Sequence, residues 1–159
     1  MLMQPVLDVV NKQFNNERYS SAIYMQLAAA MGAMNWEGFD HWFFVQANEE
    51  LKHATKMIDY MTDNSALAKL EDVPKPSVVI TDVVGAFQAA LEQERKVTEQ
   101  IKSVHKVARD ADDWTTASFF EWFLLEQVEE VNTLEVILQR LRTGGPVGLV
   151  ILDKELGQR

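Results

Sequence analysis

Glu17, Glu50, Glu94 and Glu130 each fall where the surrounding pattern of apolar residues calls for a core side chain, and His53 and Gln127 stand one helical turn from Glu50 and Glu130. A buried, unpaired carboxylate costs several kcal/mol even after its surroundings relax, so four of them in one apolar core demand compensation. Two divalent cations would balance the four formal charges. The donor set is made of hard oxygens and one imidazole, and the chain has no Cys. Such a set suits iron or manganese better than a structural zinc site. Glu50 and His53, at i and i+3, can bind from one helical face, and a carboxylate such as Glu50 can bridge two ions. The chemistry expected is that of a dinuclear centre. The bland counterpart is a hydrogen-bonded polar layer that fixes helix register.

The elements that must position these residues are long amphipathic helices. Steps of four and three give Met3, Leu7, Val10, Phe14, Glu17, Ser21, Tyr24, Ala28 and Met31 in the first, and Phe39, Phe43, Gln46, Glu50, His53, Met57 and Tyr60 in the second. The third runs Ile80, Val84, Phe87, Leu91, Glu94, Thr98, Ile101 and His105, and the fourth Phe120, Phe123, Gln127, Glu130, Leu134, Ile137 and Leu141. Residues at this spacing share a face. Each stripe is interrupted near its midpoint, so the interruptions meet at one height whichever way the helices run. Asn35 to Gly38 and Asp110 to Asp113 are short turns between antiparallel neighbours, with Asp112 or Asp113 as an N-cap. The stretch from about Asp63 to Val79 carries Pro74 and Pro76 and is long enough to run the length of the bundle, which makes helices two and three parallel. Gly144, Gly145 and Pro146 end the fourth helix. The expectation is an all-α fold: one domain over 1–159, a four-helix bundle over roughly 5–143 with one long crossover between helices two and three, and a short C-terminal fifth helix over roughly 146–156.

With these motifs in place the chain resembles the bacterial non-haem ferritins over essentially its whole length. The resemblance rests on Asn16-Glu17-Arg18-Tyr19 with Tyr24, on Glu49-Glu50-Leu51-Lys52-His53, on Glu94, on Glu126-Gln127-Val128-Glu129-Glu130, and on the closing Leu152-Asp153-Lys154-Glu155-Leu156. It implies a ferroxidase centre in which Glu17, Glu50 and His53 hold one iron and Glu50, Glu94 and Glu130 the second. Gln127 joins the metal set as a hydrogen-bonding neighbour. A third iron position would map onto Glu49, Glu126, Glu129 and Glu130, whose plainer role is that of solvated charges beside a core stripe. Tyr24, two turns from Glu17 on the same face, would supply an electron or a hydrogen bond to a ligand, or serve simply as a core tyrosine. Trp122, four residues before Glu126, would take part in electron transfer if close enough, with bundle packing as its plainer and preferred reading. The resemblance further implies Fe(II) as substrate, O2 or H2O2 as oxidant, and a hollow shell of twenty-four subunits holding ferric mineral. No haem is expected, because Leu51 follows Glu50 where bacterioferritins carry a ligating Met, and the fourth helix has Gln127 and Glu130 in place of a second Glu-x-x-His. Rubrerythrins need a Cys-rich module, and the DNA-protecting relatives often carry a basic tail. This chain shows neither feature.

The rest of the composition narrows the functional classes. A formal charge of −9 argues against nucleic acid or anionic membrane as partners and favours attraction of cations. No basic region followed by an apolar stretch opens the chain, so no secretory signal is expected and the cytoplasm is the expected compartment. His41 and His105 are left out of the site; His105 lies eleven residues beyond Glu94, about 16 Å along a helix. Two other functions fit the same residues: a dinuclear iron or manganese oxidase or peroxidase that stores no mineral, and a metal-free helical interaction protein.

Overall fold

Five helices account for most of the described residues. The computed structural model describes residues 2–159 and contains α1 (Gln4–Ala33), α2 (Glu37–Asp63), α3 (Val83–Asp110), α4 (Trp114–Thr143) and α5 (Gly145–Leu156). Helix α1 packs on α2 and α3, α3 packs on α4, and α5 lies against α2 and α4. Among the described residues, no helix is long and apolar enough to cross a membrane.

Two apolar clusters divide the bundle into halves. One joins Val6, Val10 and Phe14 of α1 to Ala54, Met57 and Met61 of α2, Val97, Ile101 and Val104 of α3, and Phe120 and Phe123 of α4. The other joins the far ends of the same four helices, among them Leu27, Phe39, Phe43, Phe87, Leu134 and Leu138, and adds Leu152 of α5. The start of α1 therefore meets the end of α2, the end of α3 and the start of α4. Helices α2 and α3 run parallel, as a long crossover requires. Asn64 to Asp82 makes that crossover and lies along α1, where Asn11 Nδ2 and Asn15 Nδ2 donate to Lys69 O and Arg18 Nη1 donates to Glu71 O.

Local sequence explains the helix ends. Asp82 caps α3 through a 2.6 Å bond from Gly85 N, and Asp113 caps α4 through a 3.0 Å bond from Thr116 N. Of the two candidates before α4, Asp113 is the cap, while Asp112 takes a positive φ of 55° as the chain leaves α3. Asn35 and Ser65 do the same after α1 and α2. The amides of Trp36, Ala66 and Asp113 then reach back to the carbonyls of Met31, Met61 and Ala108 and close the last turns. The third stripe departs from its expected phase at one end. Because Asp82 fixes the helix start, Ile80 lies outside α3 and packs on the core from the crossover, Val83 and Ala86 are buried, and Val84 is exposed.

Helix α5 docks through a contact that only glycine permits. A Cβ on Gly38 would lie 1.7 Å from Asp153 O, and Asp153 Oδ1 accepts a 2.9 Å bond from Phe39 N at the open start of α2. Gly38→Ala should therefore push α5 off the bundle and cost about 1–3 kcal/mol. Thermal unfolding and amide exchange across α5 check this; an unchanged Tm with α5 still protected would show that the contact does not hold the helix.

Candidate metal centre

The layer between the two apolar clusters is polar. Glu17, Glu50, His53, Glu94 and Gln127 are buried there, and Glu130 is partly buried beside them. Each of the four helices presents its polar residue at the same height. Two groups of side chains bring one ligand atom each within 4.8 Å of one another: Glu17, Glu50 and His53 form one, and Glu50, Glu94 and Glu130 form the other. Glu50 belongs to both. His53 Nδ1 lies 3.6 Å from Glu50 Oε2 and 4.0 Å from Glu17 Oε2.

Neighbouring side chains orient part of this layer and leave part of it free. Tyr24 O–H donates to Glu94 Oε1 at 2.5 Å, and Gln127 Nε2 donates to Glu94 Oε2 at 3.0 Å and Glu94 O at 3.1 Å. Gln13 Nε2 donates to Glu17 Oε1 at 2.7 Å. By contrast Glu17 Oε2, both carboxylate oxygens of Glu50 and Glu130 Oε2 are buried with no hydrogen-bond partner among the described residues. Folded proteins rarely bury oxygen acceptors without a partner. The free oxygens belong to the residues of the two groups, so the donor set fits a pair of hard cations.

Electrostatics points the same way. Burial, with the charge of Glu94 adding to it, raises the Glu17 pKa to about 7. Burial and then the charges of Glu94 and Glu17 raise Glu130 to about 10. Glu50 is held well above the ordinary carboxylate range by burial and by Glu94, Glu17 and Glu130, and burial raises Glu94 as well. Burial, with Lys56 nearby, lowers His53 to about 4, so its imidazole is neutral at pH 7 and available as a ligand. Carboxyl groups that are protonated when no metal is bound must lose their protons to bind one. Calorimetric titration with a divalent ion near pH 7 should show at least about one proton released per ion, and an affinity that rises with pH. A heat independent of buffer ionisation, with an affinity flat in pH, would contradict this charge assignment.

Beside the layer, Glu49, Glu126 and Glu129 line a cleft of about 370 Å³ together with Glu130, His53 and Trp122. Glu49 and Glu126 are partly buried and Glu129 is exposed. Glu49, Glu126 and Glu129 share the cleft but do not join either group of closely spaced ligand atoms, whereas Glu130 and His53 do. Trp122 sits edge-on to His53, with ring centroids 5.7 Å apart, and Lys56 Nζ lies 4.4 Å from the centre of a Trp122 ring. Its packing thus borders the polar layer directly. His41 and His105 lie elsewhere: His41 bonds Arg159 O and His105 faces Glu121. The sequence pattern passed over Gln13, the buried Gln93–Ser20 pair and Arg159, which also lines the cleft. Gln13 alone had a readable signal, since it stands one turn before Glu17 on the same helix.

The fold and this layer define a class, and sequence comparison assigns the chain to it. The chain belongs to the ferritin family: the ferritin-like domain model matches residues 7–143. It is similar to the bacterial non-heme ferritins of Staphylococcus aureus strain USA300 and Staphylococcus epidermidis, at 35% identity to each across 100% of this chain and 97% of the relative. Among solved structures it is similar to the open-pore ferritin of the hyperthermophilic archaeon Archaeoglobus fulgidus, with a TM-score of 0.96 and 33% identity over 100% of this chain and 99% of that one. A closed form engineered from that archaeal ferritin gives a TM-score of 0.97 at 32% identity over 100% of this chain and 98% of that one.

Proposed function

We propose that this protein stores iron, oxidising Fe(II) at the polar layer and holding the ferric product inside a closed shell of its own copies in the cytoplasm. The observation that carries this reading is the sharing of Glu50 between two adjacent ligand groups in a family of ferritins. One ferrous ion would be held by Glu17, Glu50 and His53, and a second by Glu50, Glu94 and Glu130. Gln127 and Tyr24 keep Glu94 in place through their hydrogen bonds. Glu49, Glu126 and Glu129, with Glu130, offer a further position in the cleft.

Charge explains why the layer works on substrate ions rather than retaining them. Four ionised carboxylates neutralise two ferrous ions. Each ion gives up one electron, and O2 with two protons takes both to form H2O2; alternatively H2O2 with two protons takes both to form two waters. Pairing the ions delivers two electrons together and avoids a one-electron oxygen species. The oxidised pair carries two more positive charges than the layer can neutralise, which favours its departure to mineral. His53 contributes a neutral donor without adding charge.

Exposed apolar side chains on several elements fit burial between subunits. Leu67, Leu70 and Val79 on the crossover and Val147, Val150 and Ile151 on α5 are all exposed on the isolated chain. A twenty-four-subunit shell, as in the family resemblance, would cover such patches by repeated symmetric contacts.

Rapid mixing of anaerobic protein with Fe(II) and then O2 tests the oxidation step. The expected result is a fast phase that saturates at about two iron per chain and consumes about one O2 for each two iron. A rate no faster than in buffer would overturn the reading.

A further inference from the structure

Arg159 reaches from beyond α5 into the acidic cleft, and nothing in the proposed oxidation uses it. Its Nη1 donates to Gln46 Oε1 and its Nη2 donates to Glu49 Oε2 at 2.8 Å. The guanidinium carbon sits 5.5 Å from the centre of a Trp42 ring, and the backbone carbonyl of Arg159 pairs with His41 Nε2 at 2.8 Å. Three contacts thus hold the side chain, and a fourth holds the backbone of the same residue. Gln46 and Glu49 stand at i and i+3 on α2, so the planar fork spans one face of that helix. Docking of α5 sets the approach: Leu152 is buried, Asp153 caps α2, and Glu155 pairs with Arg140 at 2.6 Å.

The same cleft is lined by Glu126, Glu129 and Glu130. Arginine keeps its charge at every working pH, so it satisfies Glu49 as a permanent cation. A metal ion that takes Glu49 Oε2 together with Glu126 or Glu129 must break the bond to Nη2, and one that takes the other Glu49 oxygen lies beside a guanidinium that repels it. We propose that Arg159 is a built-in competing cation, a displaceable plug that sets how readily a further metal ion binds in the cleft beside the two-ion layer. The inference rests on the metal-binding role of these carboxylates stated above. Arg159 and Glu49 side chains are 38% and 32% exposed, so the pair is partly screened and the effect is moderate. Losing Arg159 should strengthen binding of the ion beyond the first two by roughly 3- to 10-fold.

The test is anaerobic calorimetric titration with Zn2+, which undergoes no redox change, on the full chain, on Arg159→Ala and on Arg159→Lys. Arg159→Ala should tighten the further ion, or reveal one that the parent chain does not bind, with the first two ions unaffected. Arg159→Lys, which keeps the charge without the fork, should fall between. In a Glu49→Gln background Arg159→Ala should have no further effect. Equal or weaker binding of the further ion in Arg159→Ala, with the two-ion layer filling normally, would overturn the plug and leave the metal centre standing. Absence of any bound ion in all chains would overturn the metal centre and the plug with it.

Discussion

Glu50→Ala should reduce the fast phase of Fe(II) oxidation by about 100-fold or more, a larger loss than any other single substitution in the layer. Removing even a residue that only supports a metal ligand typically costs 10- to 100-fold, and Glu50 lies in both ligand groups. Its loss would separate the two ions as well as weaken each. Glu50→Gln makes the same test with nearly unchanged volume. The metal-free variants should remain folded, because both Glu50 oxygens are buried without a hydrogen-bond partner among the described residues. An oxidation rate within a few-fold of the parent in both variants would show that Glu50 does not bridge the ions.

Glu17→Gln should make the metal-free protein more stable above neutral pH and less able to be stabilised by metal. The sign follows from the raised pKa. Glu17 is shifted from 4.5 to about 7 in the folded chain by burial and by Glu94. Below pH 4.5 both folded and unfolded forms are protonated and the shift has no effect on stability. Between pH 4.5 and about 7 the unfolded chain ionises first, so stability falls as pH rises, and the loss is complete above about 7. At roughly 1.4 kcal/mol per unit, the penalty is on the order of 3 kcal/mol. An amide in place of the carboxyl removes it. Urea unfolding at pH 8 in chelator should show the gain, and at pH 4 the gain should vanish. A variant equally destabilised at both pH values would contradict the buried-acid account. Divalent metal should reverse the order at pH 8, because the parent layer binds it as carboxylates and the variant has lost one.

The fold was legible because each stripe combined a long helical period with a polar interruption at mid-length. Stop signals at Asn35, Asp110 to Asp113 and Gly144-Gly145 fixed the helix count, and the length of the crossover fixed the parallel pair. The start of α3 was misplaced by a few residues because Ile80 continues the apolar spacing, while the Asp82 cap decides where helical hydrogen bonding begins. Glu17, Glu50, His53, Glu94, Gln127 and Glu130 stood out by being polar on apolar stripes, and the structure brings all of them into one layer. Tyr24 also fell on its stripe, yet only three dimensions show its O–H aimed at Glu94. Gln93 and Ser20 are buried against each other off the main stripes, where periodicity carries no signal. Arg159 was invisible for a further reason: its place depends on how α5 docks through Gly38 and Asp153, a contact between segments far apart in the chain.

Storage, as distinct from catalysis without accumulation, is tested most directly by adding Fe(II) aerobically in large excess and separating the products by size, with iron and protein measured in every fraction. Iron far above about two per chain, travelling with an assembly many times the mass of one chain, is the predicted result. Iron that stops near two per chain, or that leaves the protein as free precipitate, would contradict storage and leave a dinuclear oxidase in its place.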